Sequence, residues 1–380
     1  MTTDKKDRIP NAPDLRFPGF KESWTCTTIN EVCLEFQSGK SITADTIHPQ
    51  GSFPVYGGNG LRGYSETYNH EGDYVLIGRQ GALCGNVRFV TGKTYITEHA
   101  IAAKATDDND TRFLQFLFSK MNLGQYSDQS AQPGLAVNKL LKLKIQIPQK
   151  KEEQLKIARF LSLLQKRLET QSRAIEKLQS LISGITQKVS KHPSVQKTML
   201  SDVLMERNDK NQKLLPVYSV SVSEGVVNQV EYLGRSFAAK DTSNYNVVYF
   251  GDIVYTKSPT GDFPFGIVKR SNNADKVAVS PLYGVYQPAS EDIGIYLHYY
   301  FCSSLNAKNY LHKLIQKGAK NTINITNQRF LENEVPIPDP LTLRKYVVLM
   351  TSLSKKLEQE KNLLALLQTQ KQFLLQEMFI

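Results

Sequence analysis

The stretch PVYGGNGLRGY, from Pro54 to Tyr64, contains the spacing G-x-G-x-x-G in Gly58, Gly60 and Gly63. In dinucleotide-binding enzymes this pattern closes a strand and opens a helix, whose free N–H groups hold the phosphates. The residues that follow, YSETYNHEGDYVLIG, instead alternate aromatic and polar side chains and then become apolar, which is typical of strands. The stretch therefore predicts strand, glycine turn and strand. The alternative, a dinucleotide enzyme, needs a helix there.

The composition is that of a folded globular chain. Its 380 residues are enough for two or three domains, and 40% hydrophobic and 22% charged residues are ordinary values. The start, MTTDKKDRIPNAPDLRF, has no apolar signal core, and no apolar run approaches about 18 residues, so we expect a cytoplasmic protein that enters no membrane. The net charge of +11 favours an acidic partner such as nucleic acid.

Cysteine and histidine spacing indicates neither a metal site nor a catalytic pair. The four cysteines are Cys26, Cys33, Cys84 and Cys302. They form no C-x-x-C pair and have no histidine at metal-ligand spacing, so we expect buried thiols. The candidate catalytic histidines include His48, His70, His99 and His298. None has a partner that can be identified from the sequence, and we expect them on the surface or in loops.

Short anchors in the first half of the chain recur in order in the second half. PVY at Pro54 returns at Pro216, and GDYVLIG at Gly72 returns as GDIVYTK at Gly251. IQIP is matched by VPIP, and KRLE by KKLE 189 residues later. Such recurrence indicates a duplicated unit, each a strand-rich globule followed by a polar, nearly glycine-free helix. We predict an α+β chain: a domain at 1–150, a helix at 151–190, a second domain at 191–340 and a second helix at 341–380.

Both helical segments carry apolar residues in alternating steps of four and three. The first series is Ile157, Leu161, Leu164, Leu168, Gln171, Ile175, Leu178, Ile182, Ile185 and Val189. The second is Tyr346, Met350, Leu353, Leu357, Glu360, Leu364, Leu367, Lys371, Leu374 and Met378. This heptad spacing predicts a coiled coil. The alternative is two amphipathic helices, each packed on its own globule.

The chain connectivity makes the predicted helix pair antiparallel, because the second helix starts at the second globule. The pair is then a spacer about 50 Å long between two pseudo-symmetric domains. Gln171 and Glu360 occupy equivalent polar seam positions and should approach each other. We hypothesise that they fix the register, whereas the alternative is two tolerated polar residues facing water.

In this layout the chain resembles the specificity subunit of type I restriction-modification systems. The resemblance covers nearly the whole chain and rests on LRFPGFKESW from Leu15, SGKS from Ser38, the block around PVYGGNGLRGY and YNHEGDYVLIGRQGALCGNV, QPGLAVNKLLKLKIQIP, and the paired helices. The family implies two target-recognition domains, each recognising one half of a split sequence in double-stranded DNA. Its helices set the spacer and dock two methyltransferase subunits, and restriction and translocase subunits join for cleavage.

The family also implies a subunit without catalysis, whose S-adenosylmethionine, ATP and Mg²⁺ belong to partner subunits. No Pro-Pro dipeptide of an adenine methyltransferase motif occurs. TGKT at Thr91 lacks the first glycine of a phosphate-binding loop, because position 87 is valine. We expect no cofactor and no metal in this chain. The alternative function is a coiled-coil scaffold whose globules bind proteins rather than DNA.

Loops with Lys, Arg, Asn and Gln at matching places in the two copies are the predicted DNA contacts, because these side chains present paired donors or acceptors to base edges. In the first copy they are Lys40, Asn59, Arg62, Arg79, Gln80, Gln129 and Gln132. In the second copy they are Lys240, Lys257, Ser258, Lys317, Lys320 and Asn321. The second copy lacks the glycine cluster, so we expect the two half-sites to differ. An alternative for Arg62 is a solvated side chain on a tight hairpin.

Overall fold

The computed structural model describes residues 11–127, 134–235, 238–317 and 323–380. The chain divides into two compact units. Unit 1 is formed by residues up to 172 together with 362–380, and unit 2 by residues 173–361. Within the described ranges, no helix combines the length and the apolar composition needed to cross a membrane.

The described part of unit 1 contains ten short strands. They are β1 (Thr25–Thr28), β2 (Cys33–Ser38), β3 (Phe53–Gly57), β4 (Gly60–Ser65), β5 (His70–Glu71), β6 (Tyr74–Gly78), β7 (Val87–Val90), β8 (Lys93–Ile96), β9 (Ala100–Ala105) and β10 (Lys144–Ile147). The helices that begin here are α1 (Ile29–Val32), α2 (Thr111–Met121), α3 (Val137–Leu141) and α4 (Lys151–Ser190). Asp110 starts α2 as its N-cap, accepting a 2.7 Å hydrogen bond from Phe113 N–H.

Among the described residues of unit 1, the strands form two four-stranded sheets and one strand pair. The first sheet has the order β2-β9-β6-β7 and is antiparallel throughout. The second has the order β4-β3-β8-β5, in which β3 and β8 run parallel. β1 and β10 form the antiparallel pair. The fully buried run of β6, YVLIG, explains its central place, because such a strand is covered on both faces.

Unit 2 repeats this inventory in the same order. Its strands are β11 (Gln196–Met199), β12 (Leu204–Glu206), β13 (Val217–Ser221), β14 (Gly225–Asn228), β15 (Asn246–Val248), β16 (Ile253–Thr256), β17 (Ile267–Arg270), β18 (Val277–Val279), β19 (Gly284–Pro288), β20 (Gln316–Lys317), β21 (Ile323–Asn324) and β22 (Glu334–Ile337). Its helices are α5 (Leu200–Val203), α6 (Gln229–Leu233), α7 (Glu291–Cys302), α8 (Ser304–His312), α9 (Asn327–Phe330) and α10 (Pro340–Glu377).

The sheets of unit 2 match those of unit 1 strand by strand. Their orders are β12-β19-β16-β17 and β14-β13-β18-β15, with β13 and β18 parallel, and β11 pairs with β22. Ser290 starts α7 as its N-cap, as Asp110 starts α2. The short hairpin β20–β21 is additional among the described strands. The predicted duplication and the α+β class are confirmed.

The long helices contact each other within each unit. In unit 1 the early part of α4 and the late part of α10 share one hydrophobic core, which includes Leu161, Leu168, Leu367 and Leu374. In unit 2 the late part of α4 and the early part of α10 do the same, and Thr186 Oγ1 lies 2.9 Å from the Tyr346 hydroxyl. All predicted seam residues are buried or half-buried. The helices therefore pair through the heptad seam.

The pairing in unit 1 is antiparallel. Near the start of α4, the Glu153 carboxylate is close to Trp24, whose ring packs edge-on against Phe379 just past the end of α10. Twelve residues further along α4, Gln165 Oε1 accepts a 2.7 Å hydrogen bond from Lys371 Nζ, which precedes Phe379. This antiparallel direction agrees with the prediction from the connectivity of the chain. The approach of Gln171 to Glu360 stays a prediction. Glu360 forms a 2.5 Å ion pair with Lys356 on its own helix.

The opening motif LRFPGFKESW is part of the unit 1 core. Arg16 donates two hydrogen bonds to the Glu153 carboxylate, from Nε at 2.6 Å and Nη2 at 2.7 Å, and Glu153 is 2% exposed. Trp24 Nε1 lies 3.4 Å from the same carboxylate. Phe17 packs edge-on against Phe160 of α4. The motif thus fastens the N-terminal segment to the start of α4.

Candidate nucleic-acid-binding edges

The glycine-rich stretch forms a tight hairpin, as predicted. Gly57 pairs with Gly60 where β3 turns into β4, and the side chain of Asn59 is exposed at the tip. Gly60 has φ +109°, a left-handed conformation that favours glycine. A strand rather than a helix follows the turn, so the stretch lacks the helix N-terminus that a dinucleotide site requires.

The hairpin tip packs directly on two neighbouring loops. A Cβ atom on Gly58 would lie 2.7 Å from the carbonyl oxygen of His99 and 3.4 Å from that of Gln80. Only glycine allows this approach without a shift in the backbone. Asn59 is therefore held beside the loop that follows β6 and the loop that precedes β9.

The loop after β6 carries Arg79 and Gln80 on a well-fixed backbone. Arg79 N–H donates to the His99 carbonyl, and the Arg79 carbonyl accepts from Leu135 N–H, both at 2.9 Å. Gln80 Oε1 lies 3.0 Å from His99 Nδ1, and Glu98 Oε1 lies 3.3 Å from His99 Nε2. The two candidate side chains thus project from a fixed frame.

Lys40 and Arg62 complete the same edge of unit 1. Lys40 N–H donates a 3.0 Å hydrogen bond to the Ile96 carbonyl at the end of β8. The stem of Arg62 lies over Gly57, since a Cβ atom there would be 2.8 Å from Arg62 Cδ. Four strands end at this edge: β2, β3, β6 and β8. They do so because β3 runs parallel to β8, and because β2 and β6 both run antiparallel to β9. We call it the unit 1 edge, formed by Lys40, Asn59, Arg62, Arg79 and Gln80.

Sequence reasoning missed three further side chains beside this edge: Asn86, Arg88 and His99. Asn86 and Arg88 line a small cavity with glycines of the hairpin and β6. Arg88 Nη2 would lie 3.1 Å from a Cβ atom on Gly60, so the guanidinium covers the hairpin backbone. The available signal was the alternation in VRFV, which turns Arg88 outward from β7.

The equivalent edge of unit 2 has different side chains. β16 ends at Thr256, and Lys257 and Ser258 follow it. The pairing of β16 with β17 matches that of β6 with β7, so Lys257 is equivalent to Gly78 and Ser258 to Arg79. Ser258 is exposed, whereas Lys257 is half-buried, and burial lowers its pKa. The hairpin β13–β14 turns at 222–224 without a glycine cluster. The unit 2 edge therefore presents a hydroxyl and an ammonium, whereas the unit 1 edge presents an amide and a guanidinium.

The remaining predicted residues are only partly placed. Lys240 is exposed in the segment before β15. The backbone of Lys317 pairs with Ile323 in the β20–β21 hairpin. Four predicted residues lie outside the described ranges: Gln129, Gln132, Lys320 and Asn321.

Two expectations about single residues were wrong. Cys26 is exposed rather than buried, because its position in the two-stranded pair β1–β10 faces solvent. His70 is buried in β5, where its ring nitrogens lie 2.6 Å from Asn69 Oδ1 and 3.1 Å from Glu35 Oε1. His298 is half-buried on α7. Across the described residues, no group of three His, Cys, Asp or Glu side chains could hold a metal ion.

The structure defines a class of protein: a duplicated α+β chain in which each unit contains one part of α4 and one part of α10. Residues 21–180 match the family model described as the type I restriction modification DNA specificity domain. The comparison assigns this segment of the chain to the type I restriction-modification DNA specificity domain.

Individual relatives agree with this assignment. Over 125 residues the chain is 42% identical to the type I restriction enzyme EcoprrI specificity subunit of Escherichia coli, covering 32% of this chain and 31% of that protein. Over 123 residues it is 25% identical to the putative type I restriction enzyme specificity subunit S.HindORF215P of Haemophilus influenzae, covering 32% of each. The matches span about a third of the length of these curated relatives.

The fold is similar to that of a solved structure. The crystal structure of the type I restriction-modification system S subunit from M. genitalium superposes with a TM-score of 0.68 at 17% identity, covering 97% of this chain and 99% of that chain. At this identity the likeness bears on the fold alone.

Proposed function

We propose that this chain is the DNA-recognising subunit of a type I restriction-modification complex, and that each unit recognises one half of a split target. The observation that carries the proposal is the unit 1 edge, where five exposed or half-exposed polar side chains from three loops and the start of β4 converge. Guanidinium and amide groups present the paired donors and acceptors that base edges require. The net charge of +11 supports a polyanionic partner.

The construction of the edge suits close approach to a duplex. Glycines at the hairpin tip leave backbone N–H groups near the surface, where they can bind phosphate oxygens. Arg62 and Arg88 flank these glycines and supply positive charge on both sides. Arg79 and Gln80, whose backbone is fixed, then take the base-reading role. The fixed backbone keeps the register of these contacts.

The two edges support a target with unlike halves. Arg79 and Gln80 match guanine and adenine edges, whereas Lys257 and Ser258 form fewer paired contacts. Because the frames are the same and the side chains are not, each unit selects its own half-site. The helix pair would set the length of the DNA between the two half-sites.

We further propose that the outer faces of the helices dock two methyltransferase subunits. In unit 1 these faces carry exposed apolar side chains, Leu163, Leu366 and Phe373, which are 61%, 68% and 55% exposed. Such residues on a paired helix suit the addition of further helices. S-adenosylmethionine, ATP and Mg²⁺ would be bound by the methyltransferase, restriction and translocase subunits.

A gel-shift titration with the methyltransferase present tests DNA binding. Phosphate contacts make log affinity fall steeply and linearly with log salt concentration, so we expect that slope on duplexes bearing the target. The target itself comes from methylome sequencing of a host that carries the complex, which should give two unlike half-sequences and a constant gap. A complex that assembles but binds duplex DNA weakly, with no salt slope and no sequence preference, would favour the alternative of a protein-binding scaffold.

A further inference from the structure

Unit 2 contains a cluster that DNA recognition does not use. Cys302 is the last residue of α7, and His298 lies one turn before it on the same face of the helix. Lys269 lies on β17, which packs against α7. Lys269 Nζ donates to Cys302 Sγ at 3.3 Å, and His298 Nε2 lies 3.8 Å from the same sulfur.

The hydrogen bonds around His298 fix the orientation of its ring. Arg270 N–H donates to His298 Nδ1 at 3.2 Å, so Nδ1 is an acceptor. The ring proton of neutral His298 is then on Nε2, which points toward Sγ. The sulfur therefore faces one ammonium and one N–H donor. This is the surrounding of an anion rather than of a neutral thiol.

Burial of Lys269 strengthens this argument. The residue is 5% exposed, and within the described part of the chain no carboxylate lies at ion-pair distance from its ammonium. A buried ammonium needs a compensating negative charge, and the Cys302 sulfur is the group in contact with it. The other titratable neighbours are the hydroxyls of Tyr299 on α7 and Tyr346 on α10, which interact electrostatically with Cys302. Both are neutral near pH 7, because burial raises the pKa of each.

We propose that Cys302 is a thiolate paired with Lys269 and is a site of covalent modification by small electrophiles, hydroperoxides in particular. The sulfur attacks one peroxide oxygen, so that an S–O bond forms as the O–O bond breaks. The departing oxygen takes up a proton and leaves as water or an alcohol. Cysteine is oxidised by two electrons to sulfenic acid, and the peroxide is reduced by two.

The other cysteines serve as internal comparisons. Burial by itself would raise the pKa of Cys302. His298 and Lys269 outweigh this effect and lower the pKa to about 6. Burial raises the pKa of Cys33 to about 12 and also raises that of Cys84. Cys26 is exposed. At pH 7 a thiol with a pKa of about 6 is roughly 90% thiolate, against about 3% for an ordinary one, a difference of about thirtyfold.

The experiment is iodoacetamide alkylation of the full chain from pH 5 to 10, with each cysteine followed by peptide mass spectrometry. We expect the Cys302 rate to reach half its plateau near pH 6, and the Cys26 rate to do so near the ordinary value for a thiol. The midpoint reports ionisation and is insensitive to exposure. With hydrogen peroxide and dimedone, the sulfenic adduct should form on Cys302 before Cys26.

Two variants distinguish the effect of Lys269 and His298 on the ionisation of Cys302 from an effect on folding. Lys269→Met keeps the length of the buried side chain, and both this variant and His298→Gln should move the Cys302 midpoint upward. Circular dichroism checks that both variants are folded. The proposal is overturned if the wild-type Cys302 midpoint is no lower than that of Cys26, or if Cys302 stays unlabelled at every pH while Cys26 is fully labelled. The wild-type profile decides the question even if a variant does not fold.

Discussion

Replacement of Glu153 by glutamine should destabilise unit 1 far more than removal of an ion pair nearby. Glu153 is 2% exposed and accepts both hydrogen bonds from Arg16, whose side chain is 10% exposed. Glutamine keeps the size but removes the charge, which leaves the guanidinium largely buried without a counter-ion. Breaking a buried pair in this way costs about 3 kcal/mol.

The matched control is Glu22→Gln, in the same opening motif. Glu22 pairs with Lys150 just before α4, and this contact lowers the pKa of Glu22 to about 2. The pair is exposed to water, however, so solvent screening removes most of its effect on stability. We expect no measurable change in the free energy of unfolding.

The assay is urea unfolding followed by tryptophan fluorescence. Trp24 is the sole tryptophan of the chain and lies against Glu153, so the signal reports unit 1. The reasoning is refuted if Glu153→Gln and Glu22→Gln shift the unfolding midpoint equally at an unchanged denaturant slope.

Four further outcomes are expected. Arg79→Ala should weaken binding to one half-site by about 1–3 kcal/mol, and Lys257→Ala should weaken binding to the other half-site, as measured by competition gel shift with half-site variants. Equal losses at both half-sites would contradict the proposal that each unit recognises its own half. The double variant Leu163→Asp and Leu366→Asp should weaken assembly with the methyltransferase in sedimentation runs and leave the melting temperature unchanged. The control Gln372→Asp, at an exposed polar residue of α10, should change neither the assembly nor the melting temperature. Gly184→Ala should stabilise unit 2 by about 0.5–1 kcal/mol in thermal unfolding, because the glycine lies inside α4 and a Cβ atom there meets nothing within 4 Å. Replacing both Gln171 and Glu360 by leucine should loosen the preferred gap between half-sites, and an unchanged gap would argue against a register role.

The repeated architecture could be predicted because its signals are local and occur twice. The anchors around Gly72 and Gly251 lie at the starts of equivalent central strands, β6 and β16. The heptad series predicted two paired helices, and the helices α4 and α10 carry those residues at their contact. A glycine cluster followed by alternating residues was enough to distinguish a hairpin from a nucleotide-binding turn.

The pairings between distant segments could not be predicted in the same way. Nothing in the local pattern links Trp24 to Phe379, or Arg16 to Glu153, since such contacts depend on the three-dimensional path of the chain. Likewise, His298 and Cys302 showed helical spacing, but Lys269 joins them only through the packing of β17 on α7. The residues of the unit 1 edge could be predicted as DNA contacts from their residue types. To place Arg88 beside them, the direction of β7 had to be known.

The composition of unit 1 has a consequence for how the protein is made. Its core includes residues from 362–380, which a ribosome adds after all of unit 2, whereas unit 2 is one continuous stretch from 173 to 361. During translation the unit encoded second can finish folding first, and the unit encoded first must wait for Phe379 to emerge. A premature stop after unit 2 that removes residues 362–380 would thus impair unit 1, although most of that unit had already been made.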